Sequence, residues 1–314
     1  MKIVFVESLG VSEELLKKAK SHFESQAHEF VYFLDRKDSA EEIINRAKDA
    51  DILTLSNISV GKEIIENCPQ LKLINVAFTG TDHIDTSLCR KEGINVSNAA
   101  GYSTVAVSEM ALGLAISLLR NIPAMDAKTR IPADRVGFLG MELNSKTVGI
   151  VGTGAIGMAT AKLFAAFGCK IIAWSRTMKN IDFISYVGLD ELFESSDIIS
   201  LHIPANAETK NLVNAKMLSK MKSSAVIINT ARGQVVDYQA LADLLKDKKI
   251  AGAGIDIYET EPPLPDNHPL LSAPNTVLVP HIAYATKEAM LKRFDIAISN
   301  IDWFLKGEIK NKIV

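Results

Sequence analysis

Residues 147–164 read TVGIVGTGAIGMATAKLF. A short apolar run, Thr147–Val151, leads into Gly152, Gly154 and Gly157 in G-x-G-x-x-G order, and a helical pattern follows over Ala155–Phe167. Each glycine meets a separate demand. Gly152 permits the tight turn, Gly154 lets backbone approach a pyrophosphate, and Gly157 lets helix and strand pack closely. The helix start offers free N–H groups and the positive end of its dipole to phosphate. The glycines alone are a weak signal, which a purely structural turn can also give. With the strand before them and the helix after, they predict a dinucleotide-binding turn.

Outward from this turn the pattern keeps alternating. Downstream runs at Lys170–Trp174, Ile198–His202, Ala225–Asn229, Ala253–Ile257 and Thr276–Val279 read as strands, with helical patterns at Ala215–Met221 and Tyr238–Lys246. With Thr147–Val151 they make six strands, the count of a complete dinucleotide-binding sheet. Upstream, strand-like Lys2–Val6, Ile52–Leu55, Leu73–Ala77 and Ile94–Ser97 interleave with helical Ser12–Phe23, Ala40–Ala47 and Lys62–Asn67. The predicted class is α/β, two units with parallel sheets, joined near 98–102 and 280–286. A last helical pattern covers Thr286–Leu305 and ends at Gly307; the pattern leaves open which unit it packs on. Asn121–Gly140, interrupted by prolines and small residues, reads as an irregular excursion.

Composition excludes several classes. The chain has 314 residues, 47% hydrophobic and 23% charged, with a net charge of −2. That suits two globular domains, and the lack of a basic run speaks against nucleic acid as a partner. Val105–Leu119, VAVSEMALGLAISLL, is short of spanning length and carries Glu109, so it reads as a buried helix and no membrane partner is expected. The opening MKIVFVESLG reads as a first strand and not as a signal peptide. Cys68, Cys89 and Cys169 show neither metal-ligand spacing nor a disulfide framework, so no metal site and a reducing, cytoplasmic setting are expected.

The strand after the glycine turn bears on the cofactor. Lys170–Asn180 reads KIIAWSRTMKN, ending in Ser175 and Arg176, with Thr177 and Lys179 behind. An NAD site usually places Asp or Glu there for the ribose 2′-OH. A hydroxyl followed by a guanidinium suits a 2′-phosphate instead. NADP(H) is the expected cofactor and NAD(H) the alternative.

Three residues stand where strands of the second unit end: Arg232, Glu261 and His281. In a parallel sheet such ends line the ligand crevice. Reducing a 2-oxo acid needs a hydride and a proton, and histidine can give the proton near neutral pH. A carboxylate beside it fixes its tautomer; an arginine binds the substrate carboxylate and polarises the neighbouring carbonyl. Singly, each suits a salt bridge, an exposed loop or a satisfied histidine. Together, beside a dinucleotide turn, they predict a site for a small 2-oxo or 2-hydroxy carboxylate. Thr79–Gly80, after the Leu73–Ala77 strand, reads equally as a source of N–H groups for a carboxylate or as a simple turn. His202 reads as structural, with a cofactor contact as the lesser reading.

The set VGTGAIG, INTARGQVVD, GIDIYETEPPL and PHIAYAT, with TGTDHID and NAAGYSTVAVSEMALGLAISLLRNI, resembles the D-isomer-specific 2-hydroxyacid dehydrogenases over nearly the whole chain. The resemblance implies two Rossmann-like domains with the active site in the cleft between them. It implies a discontinuous substrate domain, 1–101 plus 281–314, a dinucleotide domain, 102–280, and a homodimer through the latter. It assigns catalysis to Arg232, Glu261 and His281, the substrate carboxylate to Thr79–Gly80, and cofactor contacts to Ala155, Ile156, Thr230, Ala231, Asp256 and Thr104. Many members carry Asp where this chain has Ser175; those with a small polar residue and Arg there resemble glyoxylate/hydroxypyruvate reductases and prefer NADPH. Phosphoglycerate and D-lactate dehydrogenases, and corepressors that sense dinucleotide without turnover, are the alternatives within the resemblance. LSNISVGK carries no arginine for a substrate phosphate, and Glu261 departs from the Gln of formate dehydrogenases.

Overall fold

The computed structural model describes residues 1–131 and 139–314. The chain divides into two compact units, Met1–Ser103 with Ala285–Val314, and Thr104–Tyr284. The division falls beyond 101/102 and 280/281 for local reasons. A helix starts at Thr104, and the segment after Pro280 is bonded back to Asp256, just past a strand of the second unit.

The first unit alternates strictly: β1 (Lys2–Phe5), α1 (Glu13–Glu24), β2 (Glu29–Tyr32), α2 (Ala40–Ala47), β3 (Ile52–Leu55), α3 (Lys62–Asn67), β4 (Leu73–Val76), α4 (Thr86–Lys91) and β5 (Asn95–Asn98). All strand pairs are parallel, in the order β2-β1-β3-β4-β5. β3 and β4 are buried at every position, as central parallel strands with covered faces require.

The second unit holds α5 (Thr104–Leu119), α6 (Ile122–Thr129), β6 (Thr147–Val151), α7 (Ala155–Ala166), β7 (Lys170–Trp174), β8 (Ile184–Tyr186), α8 (Leu189–Ser195), β9 (Ile198–Leu201), α9 (Ala215–Leu218), β10 (Val226–Asn229), α10 (Tyr238–Lys246), β11 (Gly252–Ile255) and β12 (Thr276–Leu278). Its sheet has seven strands, not six, in the order β12-β11-β10-β9-β6-β7-β8, all parallel. The added strand, β8, is only three residues long. Strand order reverses between β6 and β9, and ligands bind at such a switch point. The apolar α5 packs on α7, β10 and β11 as a core helix. Among the described residues no single helix is long and apolar enough to cross a membrane.

The excursion expected over Asn121–Gly140 is in part helical. Asn121 turns left-handed at φ 52°, and α6 runs on with Pro123 in its first turn. Proline is tolerated there because that N–H has no partner within a helix anyway. Residues 132–138 of that stretch lie outside the described residues.

The chain closes with α11 (Lys287–Leu305), capped by Thr286, whose hydroxyl accepts from Ala289 N–H. It belongs to the first unit, held by a buried polar ladder. Asn75 donates to Ala297 O at 3.0 Å, and Asn300 donates to Asn75 Oδ1 at 3.2 Å. Buried amides that are fully partnered specify one docking register where apolar contacts alone would tolerate slips.

Candidate active site

The glycine turn lies at the carboxyl end of β6, on the switch point. Gly152 takes φ 98°, and a Cβ there would stand 2.6 Å from His202 O. A Cβ at Gly157 would stand 2.0 Å from Gly152 O. At Gly154 a Cβ would meet nothing within 4 Å. Two glycines thus close the turn, and the third opens it. Gly154 and Ala155 are exposed, Ile156 is partly so, and the first turn of α7 carries no acidic side chain. Its amides are therefore ready for an anion.

A cavity of about 590 Å³ opens beside this turn, lined by Gly152–Gly154, by Trp174–Thr177 at the end of β7, and by His202–Pro204 after β9. That volume lies within the usual range of small-molecule sites. Ser175 and Arg176 both line it. Arg176 Nη1 lies 3.3 Å from Glu208 Oε2 in a pair exposed on both sides. Such a pair is worth little and yields easily to a stronger anion. Lys179 donates to Thr153 O at 3.0 Å from the same rim. His202 also lines the cavity, its Nε2 2.9 Å from Ser200 Oγ. Burial pushes its imidazole down to about 3, so it is neutral near pH 7. Behind the turn after β10, Thr230 Oγ1 is buried with no partner among the described residues. The open Gly154 face, the acid-free helix start and the unspent hydroxyl all fit a dinucleotide.

Arg232 sits on a turn built by its neighbours. Asn229 Oδ1 accepts from Ala231 N–H at 3.0 Å, while its Nδ2 donates to Arg232 O at 3.0 Å and to Tyr238 Oη at 2.8 Å. Tyr238 in turn donates to Ile257 O at 2.5 Å, and burial raises its hydroxyl well above the usual tyrosine range. Gly233 follows with its backbone hard against the next loop: a Cβ would stand 2.0 Å from Tyr258 C. Gln234 Nε2 then donates to Glu259 O at 3.2 Å. The segments carrying Arg232 and Glu261 are therefore tied together.

His281 and Glu261 meet directly. The imidazole Nδ1–H donates to the carboxylate, 2.9 Å from Oε1 and 2.8 Å from Oε2. A carboxylate only accepts, so Nδ1 keeps its proton and Nε2 is left for chemistry. The histidine side chain is 19% exposed and the glutamate 58%, so the pair is open to a ligand. Tyr284 packs edge-on to the ring at 5.4 Å between centroids. The backbone of His281 is left-handed, φ 54°. Asp256 holds it there by taking three successive N–H groups. Its backbone O accepts from His281 at 2.7 Å, and its Oδ1 from Ile282 at 2.7 Å and Ala283 at 3.0 Å. Burial lifts the Asp256 carboxyl above the usual range, against the pull of these N–H groups and of His281.

The structure thus joins His281 to Glu261, ties the Arg232 turn to the loop before Glu261, and places Asp256 beneath His281. Thr230 and Ala231 lie on the Arg232 turn, and Thr104 opens α5. In the first unit, Thr79 is exposed and Gly80 partly exposed on the loop after β4. Sequence reasoning missed Asn229, Tyr238 and Gln234. The Asn before the TARG turn was a usable signal, since Asn bonds readily to backbone two residues on. The anchoring of His281 by Asp256 was not readable, because it links residues far apart in sequence. Among the described residues no group of three or more His, Cys, Asp or Glu is placed to hold a metal ion. Burial pushes the Cys68 and Cys89 thiols up to about 11, which makes them poor nucleophiles.

Comparison with known proteins identifies the family. Residues 112–283 match the family described as D-isomer specific 2-hydroxyacid dehydrogenase, NAD binding domain. A glyoxylate reductase from Thermofilum pendens is 40% identical over 287 residues, covering 88% of this chain and 84% of that protein. A hydroxypyruvate reductase from Blautia hydrogenotrophica is 36% identical over 284 residues, covering 87% and 88%. Among solved structures, an acyclic imino acid reductase in complex with NADPH and D-Arg superimposes with a TM-score of 0.91, at 34% identity and with both chains fully covered. The chain belongs to the D-isomer-specific 2-hydroxyacid dehydrogenase family, and is a nicotinamide-dinucleotide-dependent oxidoreductase acting on a CH–OH group.

Proposed function

We propose that the protein reduces small 2-oxo acids to D-2-hydroxy acids, glyoxylate and hydroxypyruvate foremost, with NADPH as the preferred reductant. The observation that carries this is the His281–Glu261 pair, held by a left-handed turn at the same sheet edge as Arg232. When bound, the nicotinamide supplies the hydride. His281 gives a proton from Nε2 to the substrate oxygen, while Glu261 holds the ring and balances its charge. Arg232 binds the substrate carboxylate and polarises the carbonyl; Thr79–Gly80 offer N–H groups to a carboxylate. On the cofactor side, Gly152, Gly154, Ala155, Ile156 and Gly157 take the pyrophosphate, and Thr230, Ala231, Asp256 and Thr104 border the rest.

NADPH is favoured because no carboxylate ends β7, where Ser175 and Arg176 face the cavity with Lys179 close by. The likeness to a reductase in complex with NADPH supports the same choice. A homodimer and a reducing, cytoplasmic setting complete the reading, the latter in keeping with three free, buried cysteines.

A panel of glyoxylate, hydroxypyruvate, its phosphate and pyruvate, each run with NADPH and NADH, tests the proposal. Fastest turnover of glyoxylate or hydroxypyruvate with NADPH is expected. Turnover only when an amine is added to the oxo acid would favour a second reading, reduction of a 2-imino acid, which the imino acid reductase likeness raises. Tight dinucleotide binding with no turnover of any member would favour a sensor instead.

A further inference from the structure

At the end of β5 one side chain holds the loop after β4 at Thr79, next to the bond from Ala99 N–H to Phe78 O at 2.9 Å. Asn98 is buried, and all its polar groups are committed. Its backbone N–H donates to Asn311 O at 3.1 Å, and its backbone O accepts from Asn300 Nδ2 at 2.9 Å. Its Oδ1 accepts from Ala100 N–H at 3.2 Å, and its Nδ2 donates to Thr79 O at 2.7 Å. The amide cannot be flipped, because Ala100 offers only a donor and Thr79 O only an acceptor. Thr79–Gly80 is a trans peptide, in which C=O and N–H point in opposite directions. Drawing the Thr79 carbonyl inward onto Asn98 therefore turns the Gly80 N–H outward. Among the described residues nothing accepts from it. An anion would find this donor aimed in advance.

We propose that Asn98 is a positioning residue for the substrate carboxylate: by holding Thr79 O it aims the Gly80 N–H before the substrate arrives. The inference rests on reading the Thr79–Gly80 loop as a carboxylate site. It gives α11 a part in recognition too, since Asn300 braces the backbone of Asn98. Orientation of this kind serves ground state and transition state alike, so its loss falls on KM and not on kcat.

The test compares wild type with Asn98→Ala, Asn98→Asp and Gly80→Pro, using glyoxylate and an uncharged 2-oxo amide as substrates and dinucleotide binding as a control. Asn98→Ala should raise KM for glyoxylate roughly tenfold, with kcat and dinucleotide affinity held within about twofold and KM for the amide raised less, since its oxygen accepts the same bond without the charge. Asn98→Asp keeps the shape and the bond from Ala100 but sets oxygen against Thr79 O, so it should raise KM at least as far. It also serves should the alanine variant fold poorly. Gly80→Pro removes the donor itself and should raise KM for glyoxylate more than for the amide. An unchanged KM in both Asn98 variants, or equal losses on acid and amide, overturns the proposal. If Gly80→Pro raises KM while the Asn98 variants do not, only the role of Asn98 falls. If Gly80→Pro also leaves KM unchanged, the carboxylate reading of the loop falls with it.

Discussion

Gly154→Ala and Gly157→Ala lie one helical turn apart and should fail in opposite ways. At Gly157 the new Cβ would stand 2.0 Å from Gly152 O, a full ångström inside the 3.0 Å that real contacts respect. The obstacle is backbone at a tight turn, so it cannot swing aside. The cost falls at the upper end for overpacking, about 3 kcal/mol. For a unit of this size each kcal/mol moves the melting point by roughly 2–4 °C, so a drop of roughly 6–12 °C is expected. At Gly154 the backbone, φ −66° and ψ −171°, suits any residue, and the Cβ meets nothing within 4 Å. Exchanging an N-cap glycine for alanine costs under about 1 kcal/mol, or less than roughly 4 °C. That methyl nevertheless occupies the face a pyrophosphate must approach, so dinucleotide affinity should fall roughly tenfold or more. Thermal melts without cofactor, paired with fluorescence titration of NADPH, separate the two effects. A Gly157→Ala variant melting within about 2 °C of wild type would refute the packing argument. An unchanged Kd in Gly154→Ala would refute the assignment of the open face.

Other expectations concern charge and protons. His281→Ala should cut kcat by roughly 100-fold or more while leaving dinucleotide affinity within about twofold, measured by single-turnover reduction and titration; unchanged turnover would remove His281 from the acid role. Ser175→Asp places a carboxylate beside Arg176 and should shift the NADPH-to-NADH ratio of kcat/KM toward NADH by at least about tenfold; an unmoved ratio would mean that this strand end does not choose the cofactor. His202 is held at about 3 in the folded chain against 6.5 unfolded. The unfolded state therefore takes up a proton that the folded state refuses, and this contribution is intact above 6.5 and lost as pH falls toward 3. At about pH 5 the loss is about 2 kcal/mol, so the unfolding free energies of wild type and His202→Gln should draw apart or together by that amount between about pH 7 and about pH 5. A gap independent of pH would show that the imidazole is not held neutral by burial.

The parts legible in sequence were those whose physics is local. The glycine turn was readable because each glycine answers a steric demand within a few residues. Long apolar strands and α11 were readable by period. β8, three residues long, and β2, four residues with Glu29 at its start, carry too little alternation to stand out. α6 was hidden because Pro123 suggests a break, although at a helix start it is no obstacle. At the site, residue types at strand ends pointed to Arg232, Glu261 and His281. The supports that aim them, Asn229 under the arginine turn and Asp256 under the histidine, became visible only once distant segments were in place.

The left-handed backbone at His281, φ 54°, narrows which residues can take its place. Asparagine, aspartate and glycine enter that conformation at little cost, whereas alanine resists it and β-branched residues resist it most. A mutational scan of this position therefore measures two alphabets at once, one of proton donors and one of backbone shapes. Asparagine is the cleaner probe of the acid, because it removes the titrating ring and keeps the bend. By the same reasoning, a lineage that abandoned catalysis here but kept the turn would be expected to drift to asparagine or glycine before anything else.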